Sequence, residues 1–180
     1  MTRIIAGVWG GRRLATPKGS GTRPTSDRVR EALFATLASV LGGLDGLRVL
    51  DLFAGSGALG LEAASRGAAH VDLVEADRGA AAVITANVLG LEATVARVHR
   101  TTAERFLASA PDPYDLVMID PPYESDVTSV LAAAATVLAP DGLVVVERST
   151  RDALTWPSGL VAIRDKVYGD TRLHFGTVGA

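Results

Sequence analysis

Leu47-Arg48-Val49-Leu50-Asp51-Leu52-Phe53-Ala54-Gly55-Ser56-Gly57-Ala58-Leu59-Gly60 is the stretch from which the rest of the chain can be read. Its first six residues form a near-continuous apolar run of strand length, and Ala58–Ser65 reads as a helix, so a glycine-rich turn joins a strand to a helix. A strand without polar alternation is buried on both faces, as in a parallel sheet covered by helices. The same alternation continues downstream. Strands are expected at Val71–Glu75, Thr94–His99, Tyr114–Ile119 and Leu143–Glu147, with helices near Gly79–Leu89, Ala103–Ala110 and Val127–Leu138. Pro140-Asp141-Gly142 predicts a turn into the fifth strand. Residues 160–168 and 171–178 alternate around Gly169-Asp170 and predict an antiparallel closing hairpin. The expected class is α/β, with a Rossmann-like, mostly parallel seven-stranded sheet.

Upstream of residue 47 the pattern changes. Arg3–Trp9 and Arg12–Ala15 are short runs joined by Gly10-Gly11, which predicts a β-hairpin. Residues 16–25 are rich in Pro, Gly and Thr and predict a loop. Ser26-Asp27 offers capping oxygens to a helix with apolar positions 29, 32, 33, 37, 40 and 41, stopped by Gly42-Gly43. The chain is expected to divide into a basic hairpin arm, residues 1–25, and an α/β domain, residues 26–180. The net charge of −2 hides an asymmetry: residues 1–30 carry seven basic side chains against Asp27 alone, a net +6. The other 150 residues carry eleven basic and nineteen acidic side chains, a net −8. A basic arm on an acidic body suits a polyanionic partner, with Arg3, Arg12, Arg13, Lys18, Arg28 and Arg30 as candidate phosphate contacts.

The bulk numbers narrow the chemistry. At 180 residues the chain fits one domain, or one domain with a small appendage. Zero cysteines exclude disulfides, thiolate catalysis and cysteine-based metal sites, and fit a reducing compartment. The three histidines, 70, 99 and 174, have no metal-ligand spacing, so no metal is expected. No apolar run approaches the roughly 18 residues of a membrane span. The N-terminus lacks the apolar core of a signal peptide. A cytoplasmic monomer is the expectation. Trp156 and Phe175 read as core, His70 and His99 as surface, and Glu147 as a structural carboxylate.

The turn after the first strand offers backbone N–H groups at Phe53, Ala54, Gly55, Ser56 and Gly57. Glu75, with Ala76 beside it, lies 18 residues beyond Gly57, where a carboxylate can accept from ribose hydroxyls. A nucleoside-containing cofactor follows. Gly55-x-Gly57-x-x-Gly60 formally satisfies a dinucleotide fingerprint. Asp51, however, would repel a pyrophosphate and suits an ammonium. The Asp51-x-Phe53-x-Gly55-x-Gly57 arrangement resembles the first motif of class I S-adenosylmethionine-dependent methyltransferases. The loop Thr101-Thr102-Ala103 lies where relatives often place an acidic residue near the adenine. Here Thr102, followed by Ala103, would offer only a weak contact.

Asp120-Pro121-Pro122-Tyr123 closes the fourth strand of this series and resembles the D/N-P-P-Y motif of amino-methylating members of that superfamily. An exocyclic amine on a base is a poor nucleophile because its lone pair is delocalised into the ring. A carboxylate at Asp120 and a carbonyl at Pro121, each accepting one N–H, would draw that nitrogen toward a pyramidal geometry. Tyr123 would stack on the base. Most of the rate would come from positioning two bound reactants.

At full length, Arg3–Gly7, Gly11–Leu14 and Thr22-Arg23-Pro24-Thr25-Ser26-Asp27-Arg28-Val29-Arg30-Glu31 closely resemble the bacterial small-subunit ribosomal RNA methyltransferase D family, as do the two site motifs and Tyr168–Thr171. The resemblance implies S-adenosylmethionine-dependent N2-methylation of one guanine in 16S rRNA, on an assembling or assembled 30S subunit. It makes residues 26–180 the methyltransferase domain. It also implies that Arg23, Pro24 and Thr25 help to close the cofactor pocket. Two alternatives stand beside it: a DNA adenine-N6 methyltransferase, and a non-catalytic RNA-binding or assembly module.

Overall fold

A computed structural model of the chain describes residues 2–18, 26–109, 112–122 and 127–179. Its main sheet has seven strands: β3 (Arg48–Leu52), β4 (His70–Val74), β5 (Ala96–His99), β6 (Tyr114–Ile119), β7 (Leu138–Ser149), β8 (Leu160–Tyr168) and β9 (Thr171–Val178). They lie in the order β5-β4-β3-β6-β7-β9-β8. The first five are parallel, and β9 runs antiparallel between β7 and β8.

Period-two geometry explains the apolar runs. Val49, Leu116, Met118, Leu143 and Val145 point into one core, which holds α1 (Asp27–Leu41), α2 (Ala58–Ser65) and α3 (Arg78–Leu91). Their neighbours Leu50, Val117, Ile119, Val144 and Val146 point into a second core with α4 (Ala103–Ser109) and α5 (Thr128–Ala135). The central strands β3, β6 and β7 therefore serve both faces, while the edge strand β8 is largely exposed.

Asp72 is the informative exception. It is 5% exposed in the middle of β4, yet it accepts from Tyr114 Oη at 2.7 Å and meets His70 Nε2 at 2.7 Å and His99 Nε2 at 2.6 Å. Burial opposes its charge, but the hydrogen bonds from Tyr114, His99 and His70 outweigh that and hold its carboxyl below the usual range. The two histidines expected at the surface are thus partly buried partners of one carboxylate.

The N-terminal hairpin exists but is short. β1 (Thr2–Arg3) and β2 (Arg13–Leu14) pair antiparallel, and the segment between them leaves the hairpin to dock on α2. Glu62, completely buried, accepts from Ile5 N at 2.7 Å and Ala6 N at 3.0 Å, while Ser65 Oγ bonds both Trp9 N and Ala6 O. Gly7 is required at this contact, since a Cβ there would lie 1.9 Å from Ser65 O. Ile4 and Leu14 join the core of α1 and α2, so the hairpin packs as part of the domain's surface.

The adjoining boundaries of α5 and β7 differ most from the sequence expectation. Helix α5 ends at Ala135 rather than near Leu138, and β7 begins at Leu138, pairing with Tyr114. The next register pair is Leu143 with Leu116, so Ala139–Gly142 bulges out opposite Asp115 instead of forming a free turn.

Candidate active site

The site lies where strand order reverses. β3 has β4 on one side and β6 on the other, and in open α/β sheets ligands bind at the carboxyl ends of the strands at such a point. Leu52 pairs with Val74 and with Ile119, so the residues that follow these three strands emerge side by side. They are the glycine loop, Glu75 and Asp120. With strands about 4.8 Å apart, the rim from β5 to β6 spans roughly 15 Å, which suits a nucleoside with an amino-acid tail laid across it.

The loop is built tightly. Phe53 takes φ 61°, a left-handed conformation that costs a non-glycine residue on the order of 1–3 kcal/mol, and such strain collects at functional sites. Ala54 N donates to Val74 O at 3.0 Å and Gly57 N to Ala54 O at 2.7 Å. Gly57 has φ 80°, and a Cβ there would press on Ile84 at 3.1 Å and Leu61 at 3.3 Å. At Gly55 (φ 59°) the nearest atom to a Cβ is Phe53 O at 4.0 Å, so the space above this turn is open.

Three acids surround the loop. Glu75 accepts from Gly55 N at 2.9 Å through one oxygen and from Asp77 N at 2.8 Å through the other, which fixes its carboxylate at the end of β4 with lone pairs remaining. Asp51, 1% exposed, accepts from Gly60 N at 2.8 Å beneath the loop. Burial, with a contribution from the charge of Glu75, pushes its carboxyl up to about 7 against the Gly60 hydrogen bond. Gly60 is needed for this fit, as a Cβ would meet Leu73 at 2.4 Å and Asp51 Oδ2 at 3.1 Å. Asp120 is half-buried at the end of β6, followed by buried Pro121 and exposed Pro122.

S-adenosylmethionine suits these residues. The Glu75 carboxylate keeps lone pairs that could accept from ribose hydroxyls, the open turn at Gly55 leaves room for a ligand against the backbone, and a cationic ammonium near Asp51 would relieve a buried acid. Ala54 is buried, Ser56 half-buried and Ala76 exposed along the same rim. Thr102 is exposed and caps α4, accepting from Arg105 N at 3.3 Å, while Ala103 is buried behind it.

Asn87 is a site residue that sequence reading missed. From α3, its amide donates to Ser56 O at 2.9 Å and Ala15 O at 3.0 Å, and accepts from Ala15 N at 2.9 Å. It thereby fastens the segment after β2 to the cofactor loop. No motif marks it, because both partners are backbone atoms far away in sequence.

The basic candidates divide into buried and exposed side chains. Arg30 is 1% exposed and bonds Arg3 O at 2.6 Å and Asp27 Oδ1 at 2.8 Å, so the expectation that it contacts phosphate is corrected: it is an internal brace. Arg3 pairs with Asp27 at 2.9 Å at the surface, and Arg12 reaches Gly90 O at 2.6 Å. Arg13, Lys18 and Arg28 are exposed. Tyr123, Arg23, Pro24 and Thr25 lie outside the described residues.

Comparison with known proteins follows the same lines. The family model described as "Conserved hypothetical protein 95" matches residues 2–177. The chain is 43% identical over 171 residues to the ribosomal RNA small subunit methyltransferase D of Escherichia coli K12, covering 93% of this chain and 85% of that protein. It is 34% identical over 174 residues to the protein of the same name in Haemophilus influenzae, covering 93% and 89%. Among solved structures, an Escherichia coli protein described as a methyltransferase superposes with a TM-score of 0.85 at 38% identity, covering 99% of this chain and 98% of that one. Matched over nearly its full length and carrying the glycine loop, Glu75 and Asp120 at one switch point, the chain belongs to the small-subunit ribosomal RNA methyltransferase D family and has the class I methyltransferase fold.

Proposed function

We propose that this chain transfers the methyl group of S-adenosylmethionine to the exocyclic N2 amine of a guanine in 16S rRNA, on the small ribosomal subunit in the cytoplasm. The observation that carries the reading is the adjacency of β3 and β6 through the Leu52–Ile119 pair, which brings Asp120 next to the cofactor loop. The bound sulfonium supplies an activated methyl group with a good leaving group. Glu75 holds the ribose, the loop backbone and Asp51 hold the amino-acid end, and Thr102 and Ala103 line the adenine side.

Asp120 and the Pro121 carbonyl would each accept one N–H of the target amine and turn its lone pair toward the methyl group. As the N–CH3 bond forms the S–CH3 bond breaks, the thioether leaves, and the surplus proton on nitrogen passes to the Asp120 carboxylate and on to solvent. Proline at 121 and 122 removes two backbone donors and stiffens the strand end, so these acceptors hold still. Tyr123 stacks on the base and fixes its plane, contributing roughly 1–3 kcal/mol. Because the amine is inside a paired or stacked polymer, the base leaves its stack before reaction, and phosphate contacts from Arg12, Arg13, Lys18 and Arg28 keep the polymer in register.

The names of the Escherichia coli and Haemophilus influenzae relatives support rRNA as the substrate class. Tritiated methyl transfer offered separately to naked 16S rRNA, 30S particles from an unmethylated strain and duplex DNA tests the reading. Label in rRNA or 30S particles is expected; label in DNA alone would replace the substrate.

A further inference from the structure

Among the described residues, β5 is the outermost strand on its side of the sheet, with no neighbour beyond it. Arg78, Ala81, Ala82 and Thr85 fall at i, i+3, i+4 and i+7 of α3 and so share one helix face. Val98 and Arg100 fall on one face of the β5 segment. The two faces meet as an open groove of about 620 Å³. Its walls are low because alanine and threonine stand where a core-facing helix would carry larger apolar side chains. Thr85 donates its hydroxyl to Ala81 O at 2.9 Å, which leaves the two guanidinium groups as the groove's donors.

Arg78 and Arg100 are both exposed, and neither forms an ion pair among the described residues. Two like charges lining one groove repel each other and gain nothing structurally, although the domain around them is acidic. What relieves such a pair is an anion. A mostly polar groove with a small apolar patch at Ala82 and Val98 between two guanidiniums suits a sugar–phosphate backbone, with ribose against that patch and a phosphate held by the bidentate donors.

The position strengthens the reading. Arg100 lies two residues before Thr102, on the rim that also carries Glu75 and the glycine loop. Arg12 grips the opposite end of α3 at Gly90 O. The 14 residues of α3 span about 20 Å between the two sets of cations.

We propose that the Arg78–Arg100 groove is a second phosphate-binding track, which holds the RNA backbone beside the cofactor rim while the N-terminal cations hold it elsewhere along the strand. This rests on RNA being the substrate, and it extends the interface beyond the basic arm to the edge of the sheet.

The test compares three proteins binding a 16S rRNA transcript over a series of KCl concentrations: wild type, Arg78→Gln/Arg100→Gln, and Arg12→Gln/Arg13→Gln. Loss of two phosphate contacts is expected to lower the magnitude of the log–log salt slope by about 1.4–1.8 in the groove variant. Its KM for rRNA should rise on the order of tenfold, with kcat, cofactor affinity and melting temperature unchanged. An unchanged slope in the groove variant, beside a flattened one in the Arg12/Arg13 variant, overturns the groove alone. Absence of salt-dependent RNA binding by the wild type overturns the RNA substrate and the groove with it.

Discussion

Asp51 sits at the point where folding and ligand binding compete. Its carboxyl titrates near 7 because burial disfavours the charge. A folded value raised above the ordinary 3.8 means that ionisation costs stability, beginning near pH 4 and reaching its full extent above about 7. Asp51→Asn should therefore raise the melting temperature of the ligand-free protein at pH 8 and leave it nearly unchanged at pH 4. A neighbouring ammonium favours the ionised form, so calorimetric affinity for S-adenosylmethionine should strengthen from about pH 6 to about pH 8. In Asp51→Asn that dependence should shrink, and equal slopes in both proteins would separate Asp51 from the ammonium. Asn87 permits a different reading of the same loop. Asn87→Asp keeps shape and the acceptor toward Ala15 N but loses both donors, each worth about 1 kcal/mol net. The KM for S-adenosylmethionine should rise about tenfold with kcat within twofold; a fall in kcat alone would place Asn87 outside the loop's support.

At the scale of elements, the central parallel strands were legible because each is a near-continuous apolar run, and the fold buries both faces of β3, β6 and β7. The hairpin at Gly169 was legible for the opposite reason, its alternation and its turn. The end of α5 was not. Ala132–Leu138 is as good a helix as a strand approach, and what ends the helix is capture of Leu138 by Tyr114, a pairing across 24 residues that no local pattern carries. The docking of Ile5–Trp9 on Glu62 and Ser65 was invisible for the same reason, since a buried glutamate bonding remote amides has no periodicity. Nothing in the strand pattern marks Asp72, yet it joins β4 to side chains of β5 and β6. Asp72→Ala should leave Tyr114, His70 and His99 without their acceptor and cost roughly 2–4 kcal/mol in urea unfolding. Its depressed pKa adds a pH signature: the stability it contributes is present above pH 3.8 and is lost as pH falls further. An Asp72→Asn protein whose stability falls just as steeply in that range would exclude Asp72 as the cause.

Over the whole molecule, one sheet carries two cores, and the candidate site residues gather where its strand order turns back. Motif spacing located the glycine loop, Glu75 and Asp120 because each follows a strand, and parallel pairing brings such residues to one edge. The charge split was legible as an asymmetry but not in detail: Arg30 was counted with the exposed cations, and helix α1 with the hairpin buries it. Conversely, Arg78 and Arg100 drew no attention in a segment of acidic balance, and only the exposed edge of β5 brings them together. The catalytic claim reduces to Asp120 as an acceptor for the target amine. Nucleoside mass analysis of 16S rRNA, after reaction with wild type and with Asp120→Ala at matched cofactor saturation, isolates it. N2-methylguanosine at one site with the wild type, and at least a hundredfold less with Asp120→Ala despite cofactor affinity within about threefold, is the expected result. Equal methylation by the two proteins, or a methylated base other than guanine, would contradict it.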